Sequence, residues 1–176
     1  MPLFKDILYP TDFSEAAEKC LCYIKRLKEA GAEKVYILHV VNPLEVSVPY
    51  FSDFSFPPSV DLVPLFAEFP ELEREFLEAI IQKLKDVEEE IKKSGLDTQI
   101  VVIMGDPAEE IVNFAKEKEI SLIVMPYRAK KGIMGFLKEI GSTTRAVINK
   151  APCPVLVIRK AVAEKELEKE KQNGEK

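Results

Sequence analysis

The chain has 176 residues, 47% hydrophobic and 31% charged, the composition of a soluble globular protein with one well-filled core. A formal net charge of −5 and a pI near 5.2 exclude nucleic acid or an anionic membrane as the main partner, because both select a basic face. No N-terminal apolar run has the length of a signal peptide or a membrane span, so a cytoplasmic protein is expected.

The first apolar run, Ile7-Leu8-Tyr9, reads as a buried strand that Pro10 stops, since proline has no N–H for a ladder. Thr11 and Asp12 then stand at the carboxyl end of that strand, and Ser14 can cap the helix that follows. That helix is expected from about Ser14 to Ala30. Ala17, Cys20, Leu21, Ile24 and Leu27 lie on one face, and Gly31 stops it. The cysteines Cys20, Cys22 and Cys153 form neither a zinc pattern nor C-x-x-C, which points to reduced, packed thiols. Val35 to Val41 is a short apolar run, rich in β-branched residues, and predicts a parallel strand buried on both faces.

Residues 43 to about 70 contain six prolines and five phenylalanines. The prolines forbid a long helix or central strand, and the rings are too many for a solvated linker. An inserted loop is expected that lays its rings on the domain itself or on a partner subunit. Glu71 to about Lys93 predicts an amphipathic helix with Leu72, Phe76, Ile80, Leu84, Val87 and Ile91 as its stripe. A third strand follows over Thr98–Met104, then a short helix capped by Asp106 with Pro107 at its first position. Leu122–Met125 is a fourth strand, and Val155–Ile158 a fifth. From Lys160 onward there is hardly an apolar stripe, and a solvated helix or frayed tail without a site is expected over 161–176.

Strands alternating with helices, all of the strands apolar, define an α/β domain over residues 1–160. It has a five-stranded parallel sheet with helices on both faces. In such a sheet ligands bind outside the carboxyl ends of the strands, which puts Thr11 and Asp12 at a candidate rim. The other candidate is the loop from Pro126 to Ile140. It ends at a helix start, where backbone N–H groups favour phosphate and Gly141 lets the backbone approach. Arg128, Lys130 and Lys131 bring positive charge there; a plain surface loop, with Ser142 as helix cap, is the competing reading. G-x-x-x-x-G-K-[ST] and G-x-G-x-x-G are both absent. His39, the only histidine, is expected to be a satisfied core or rim residue and not a metal ligand or catalytic base.

Five stretches together resemble the universal stress protein family from Leu3 to Arg159. They are Ile7–Glu15, Leu38–Val41, Gly105–Ile111, Leu122–Met125, and Gly141-Ser142 with Ala151–Ile158. The resemblance implies a Rossmann-like fold of the adenine-nucleotide alpha-hydrolase type. It also implies homodimers joined through the last strand, Val155–Ile158, and a stress-related regulatory or sensing role in place of a defined metabolic reaction. One branch of the family binds ATP through Gly, two residues, Gly, nine residues, Gly and Ser or Thr after the fourth strand. Here Pro126 and Ala129 stand at the first two glycine positions, and eleven residues separate Ala129 from Gly141. Gly141-Ser142 matches, as do Pro10, Thr11 and Asp12 on the ribose and adenine side and Val40 as the backbone contact to adenine.

The expectation is an adenine-nucleotide site, for ATP or a relative with or without Mg²⁺, whose base half is intact and whose phosphate half is altered. The chain alone offers no metal ligands for it. A nucleotide-independent dimeric interaction module is the alternative. Hydrolysis, slow at best, is least expected, because no general base stands beside Ser142 and Asp12 would be committed to a ribose.

Overall fold

A computed structural model describes residues 2–43, 59–127, 130–131 and 138–174. Five parallel strands form the sheet: β1 (Asp6–Pro10), β2 (Lys34–Val41), β3 (Asp97–Met104), β4 (Leu122–Pro126) and a last strand, Val155–Ile158. Two short antiparallel pieces, β5 (Lys130–Lys131) and β6 (Lys138–Glu139), stand apart from it, so the last strand is β7. The order across the sheet is β3-β2-β1-β4-β7, and the five parallel strands are those that the apolar runs predict. The chain winds outward from β1 to β3, then returns to β1's other side with β4, so β1 and β4 flank the point where the winding reverses.

Alternate residues of these strands feed two cores. On one face Ile7, Tyr9, Val35 and Ile37 pack with Cys20, Ile24, Leu77, Leu84 and Ile91. On the other, Leu8, Leu38, Val101 and Ile123 pack with Ile111, Val112, Phe114 and Val147. Each fully buried aliphatic side chain contributes about 1.5–3 kcal/mol relative to exposure. Helices α1 (Glu15–Lys19), α2 (Leu21–Arg26) and α3 (Glu71–Lys92) cover the first face; α4 (Pro107–Glu117) and α5 (Ser142–Lys150) cover the second.

Four expectations need correction. The first helix is not continuous: the Cys20 amide bonds the Ala17 carbonyl three residues back, which tightens one turn between α1 and α2, and Leu27–Ala30 is a 3-10 turn. The stripe of α3 holds at Ile80, Leu84, Val87 and Ile91, but its first turns differ, with Glu73 and Leu77 buried while Leu72 is 52% exposed. Ser142 is the first residue of α5 and not its cap; Gly141 holds the cap position, without a side-chain cap bond. The tail is a helix, α6 (Lys160–Gly174), docked on the first face. Ala163 is fully buried there, Leu167 packs against the core, and Lys19–Glu164 and Arg26–Glu166 pair across the joint. Its sparse apolar content suffices because one small residue lets the backbones approach.

Of the proline- and phenylalanine-rich insert, residues 44–58 lie outside the described residues. The remainder folds onto its own domain: Leu62 is buried, and Val63, Phe66 and Phe69 pack on the first core.

Candidate functional site

The ladder between β1 and β4 consists of two pairs, Ile7 with Leu122 and Leu8 with Ile123. Beyond it both strands run on to a proline, Pro10 and Pro126. Neither proline can donate to a neighbouring strand, so the central strands part at their carboxyl ends. A cavity of about 490 Å³ opens there, within the range of small-molecule sites, roughly 300–1,000 Å³.

Strand β2 supplies its floor. Pro10 pairs with Leu38, and the Thr11 amide donates to the Leu38 carbonyl at 2.8 Å. Backbone groups alternate sides along a strand, so Val40 turns its N–H and C=O the same way as Leu38. By Val40, however, β1 has ended. The backbone of Val40 therefore faces the space that β1 has vacated, and Val40 lines the cavity.

The turn after β1 carries the polar rim. Thr11 is buried and its Oγ1 accepts the Phe13 amide at 3.1 Å. Asp12 is exposed; its Oδ1 accepts the Ser14 amide at 3.0 Å, and Ser14 in turn caps α1 through Oγ. Among the described lining residues Asp12 alone carries a formal charge. Phe13 has φ 61°, a left-handed backbone that costs a bulky residue on the order of 1–3 kcal/mol. His39 is a satisfied rim residue. Its Nδ1 lies 2.8 Å from the Thr11 carbonyl, an acceptor, so Nδ1 carries the proton. Burial lowers its pKa, opposed by the bond to Thr11 and the charge of Asp12.

The far wall is the start of α5. The first N–H groups of a helix have no intrahelical partner, and no side chain caps these. Thr143 and Thr144 line the cavity, and the Thr144 hydroxyl donates to the Pro126 carbonyl at 3.2 Å. Gly141 and Ser142 sit at the helix start beside them without lining the cavity itself. Pro10, Thr11, Asp12, Val40 and Pro126 are brought together. Arg128 and Ala129 lie outside the described residues, and Lys130 and Lys131 are placed by backbone alone, on β5. Thr143, Thr144 and Phe76 were not legible as site residues. The threonines directly follow Gly141-Ser142, a usable signal; Phe76 reads as one more apolar position of α3.

No described helix is long and apolar enough to cross a membrane, and the described residues hold no cluster of three metal-ligating side chains.

A five-stranded α/β domain with a crevice where two central strands part is the architecture of nucleotide-binding folds. The family model "Universal stress protein family" matches residues 3–159, and the chain belongs to that family. Universal stress protein MJ0577 of Methanocaldococcus jannaschii is 34% identical over 160 residues, covering 90% of this chain and 96% of its own. Its solved structure superposes with a TM-score of 0.69 over 90% of this chain and 97% of that one. The fold is also that of a universal stress protein solved with cAMP (17% identity, TM-score 0.57, 89% and 97% coverage). A universal stress protein from Archaeoglobus fulgidus solved with dAMP shares it too (23%, 0.55, 90% and 99%).

Proposed function

We propose that this chain binds an adenine nucleotide in the crevice between β1 and β4 and serves as a ligand-responsive regulatory protein of stress physiology. The observation that carries this reading is the pairing of the two walls: the Val40 backbone and Asp12 on one side, the uncapped start of α5 on the other. The first suits a base and ribose hydroxyls, the second an anion at helix amides. The cAMP and dAMP complexes of two proteins of this fold support adenine monophosphates as the ligand class.

The altered phosphate half sets the order of preference. Pro126 is buried, brings no N–H, and gives its carbonyl to Thr144, so it offers phosphate no donor where a glycine amide would stand. AMP and ADP should therefore bind at least as well as ATP, and Mg²⁺ should add little. At a hundred times its dissociation constant a ligand adds about 2.7 kcal/mol, a rise in Tm of roughly 5–10 °C for a domain of this size. The test is thermal melting with AMP, ADP and ATP, with and without Mg²⁺. A rise lost in Asp12→Ala supports the site; no rise with any of the three overturns it.

We also propose a homodimer through β7. The sheet ends there, Val155, Leu156 and Val157 are half-buried, and Ile148 and Val162 on the flanking helices are 44% and 48% exposed. Light scattering should give twice the chain mass, reduced to one by Val157→Pro, which cannot donate to a partner strand; a native monomer at high concentration overturns it.

A further inference from the structure

Phe13 sits in a backbone conformation that a phenylalanine rarely adopts, with φ 61°, directly after Asp12. Such strain persists only where surrounding contacts over-determine it, and it concentrates at functional sites. The contacts here can be named. The left-handed turn folds the Phe13 ring onto His39, at 4.6 Å between centroids and 29° between planes. Lys83 of α3 places its ammonium 5.3 Å from the centroid of the same ring. His39 is itself fixed by its bond to the Thr11 carbonyl. The chain on either side of Asp12 is thus tied to the imidazole, through a hydrogen bond at Thr11 and a ring stack at Phe13.

Asp12 itself is exposed, so packing of its own side chain does little to aim it. Its ties include its bond to the Ser14 amide and the two neighbours anchored on His39. We infer that Phe13 and His39 are positioning residues that aim Asp12 at the ligand, with the stack holding the strained turn in its binding shape before any ligand arrives. This rests on the nucleotide reading. The rigid turn removes the ordering that a free loop would undergo on binding, which is how preorganisation raises affinity.

Phe13→Gly separates this role from a structural one. Glycine adopts φ 61° without strain, so the change deletes the ring while relieving the turn. Phe13→Tyr keeps the ring and serves as the conservative variant. The expected result is a ligand-free Tm of Phe13→Gly within a few degrees of native, AMP affinity by calorimetry reduced tenfold or more, and affinity restored in Phe13→Tyr.

A second readout uses ligand-free protein. His39 is the only histidine in the chain, so its ring gives a single imidazole titration by NMR. Burial holds that titration below the usual histidine value, and removal of the covering ring should move it upward. Equal AMP affinity in native and Phe13→Gly overturns the inference, as does an unmoved imidazole titration. A fall in affinity matched by loss of the fold, without rescue by tyrosine, also overturns it. Failure of the native chain to bind AMP is a different result: it removes the nucleotide reading before any variant is compared.

Discussion

Asp61 Oδ1 accepts the amide of Val102 at 3.1 Å, on the outer edge of the sheet. The same oxygen accepts the Val63 amide, and the Leu62 amide donates to the Val102 carbonyl at 2.7 Å. The segment that follows the proline-rich insert therefore occupies the edge of β3, where unpaired backbone would invite another strand. Burial raises the pKa of Asp61, although both accepted amides favour the carboxylate. Asp61→Ala should cost about 1–3 kcal/mol, the penalty of a buried donor left unmet, whereas Asp61→Asn keeps an acceptor and should cost less. Urea midpoints of the two variants check this, and equal losses would contradict the assignment.

His39 should make stability depend on pH. Its native pKa is held below the unfolded value of 6.5, so near and below that pH the unfolded chain binds the proton first. The contribution is complete above 6.5 and is lost as pH falls through the lower native value. Carboxylates titrate in the native chain and in His39→Phe alike. The difference in unfolding free energy between the two chains should therefore shift in favour of the variant from pH 7.5 to 5.5. A constant difference across that range would remove His39 as the source.

Gly105 marks where the chain leaves β3 for the cap of α4. A Cβ there would stand 2.7 Å from Glu110 Cγ and 2.8 Å from its Oε1, at φ +157°. Glu110 is buried and its Oε2 accepts the Ser59 hydroxyl at 2.7 Å, so it has little room to retreat. Gly105→Ala should destabilise by about 1–3 kcal/mol, as overpacking does. The loss should shrink in Gly105→Ala with Glu110→Ala, a coupling that thermal melts of the four chains would show.

Two carboxylates of helix α6 act on the thiol of Cys22. Burial raises the pKa of Cys22, and Glu170 and Glu166 of α6 raise it further. Ala163→Asp puts a charge at the fully buried contact of α6 and should undock the helix. Cys22 should then react faster with a disulfide reagent at neutral pH, while Cys20, whose thiol burial pushes up to about 12, should stay slow. Loss of only the ion pairs of Glu164 with Lys19 and Lys160 in Glu164→Ala should leave the melting temperature and the Cys22 reactivity nearly unchanged. Mass spectrometry of the labelled chain distinguishes the two cysteines.

The five strands were legible because a parallel strand covered on both faces reads as a near-continuous apolar run, and Ile7–Tyr9, Val35–Val41 and Leu122–Met125 are such runs. The caps Ser14 and Asp106 were legible because each acts within three residues of itself. The stripe of α3 was legible from Ile80 to Ile91 but not at its start, because Leu72 and Leu77 are equally apolar and only the neighbouring elements decide which of them is covered. The docking of α6 was missed for a related reason: its partners, Lys19 and Arg26, lie about 140 residues away.

The same division runs through the site. By itself the sequence determined the strand ends, the prolines at Pro10 and Pro126, the Asp12 turn and the glycine before α5, since these depend on backbone chemistry at single positions. Only the tertiary structure decided that the two prolines meet across one crevice and that Val40 turns its backbone into it. It alone brought Phe13 onto His39 and Thr144 to Pro126. Those relations depend on strand order and register, which bring residues far apart in sequence within a few ångströms, and no local pattern encodes them.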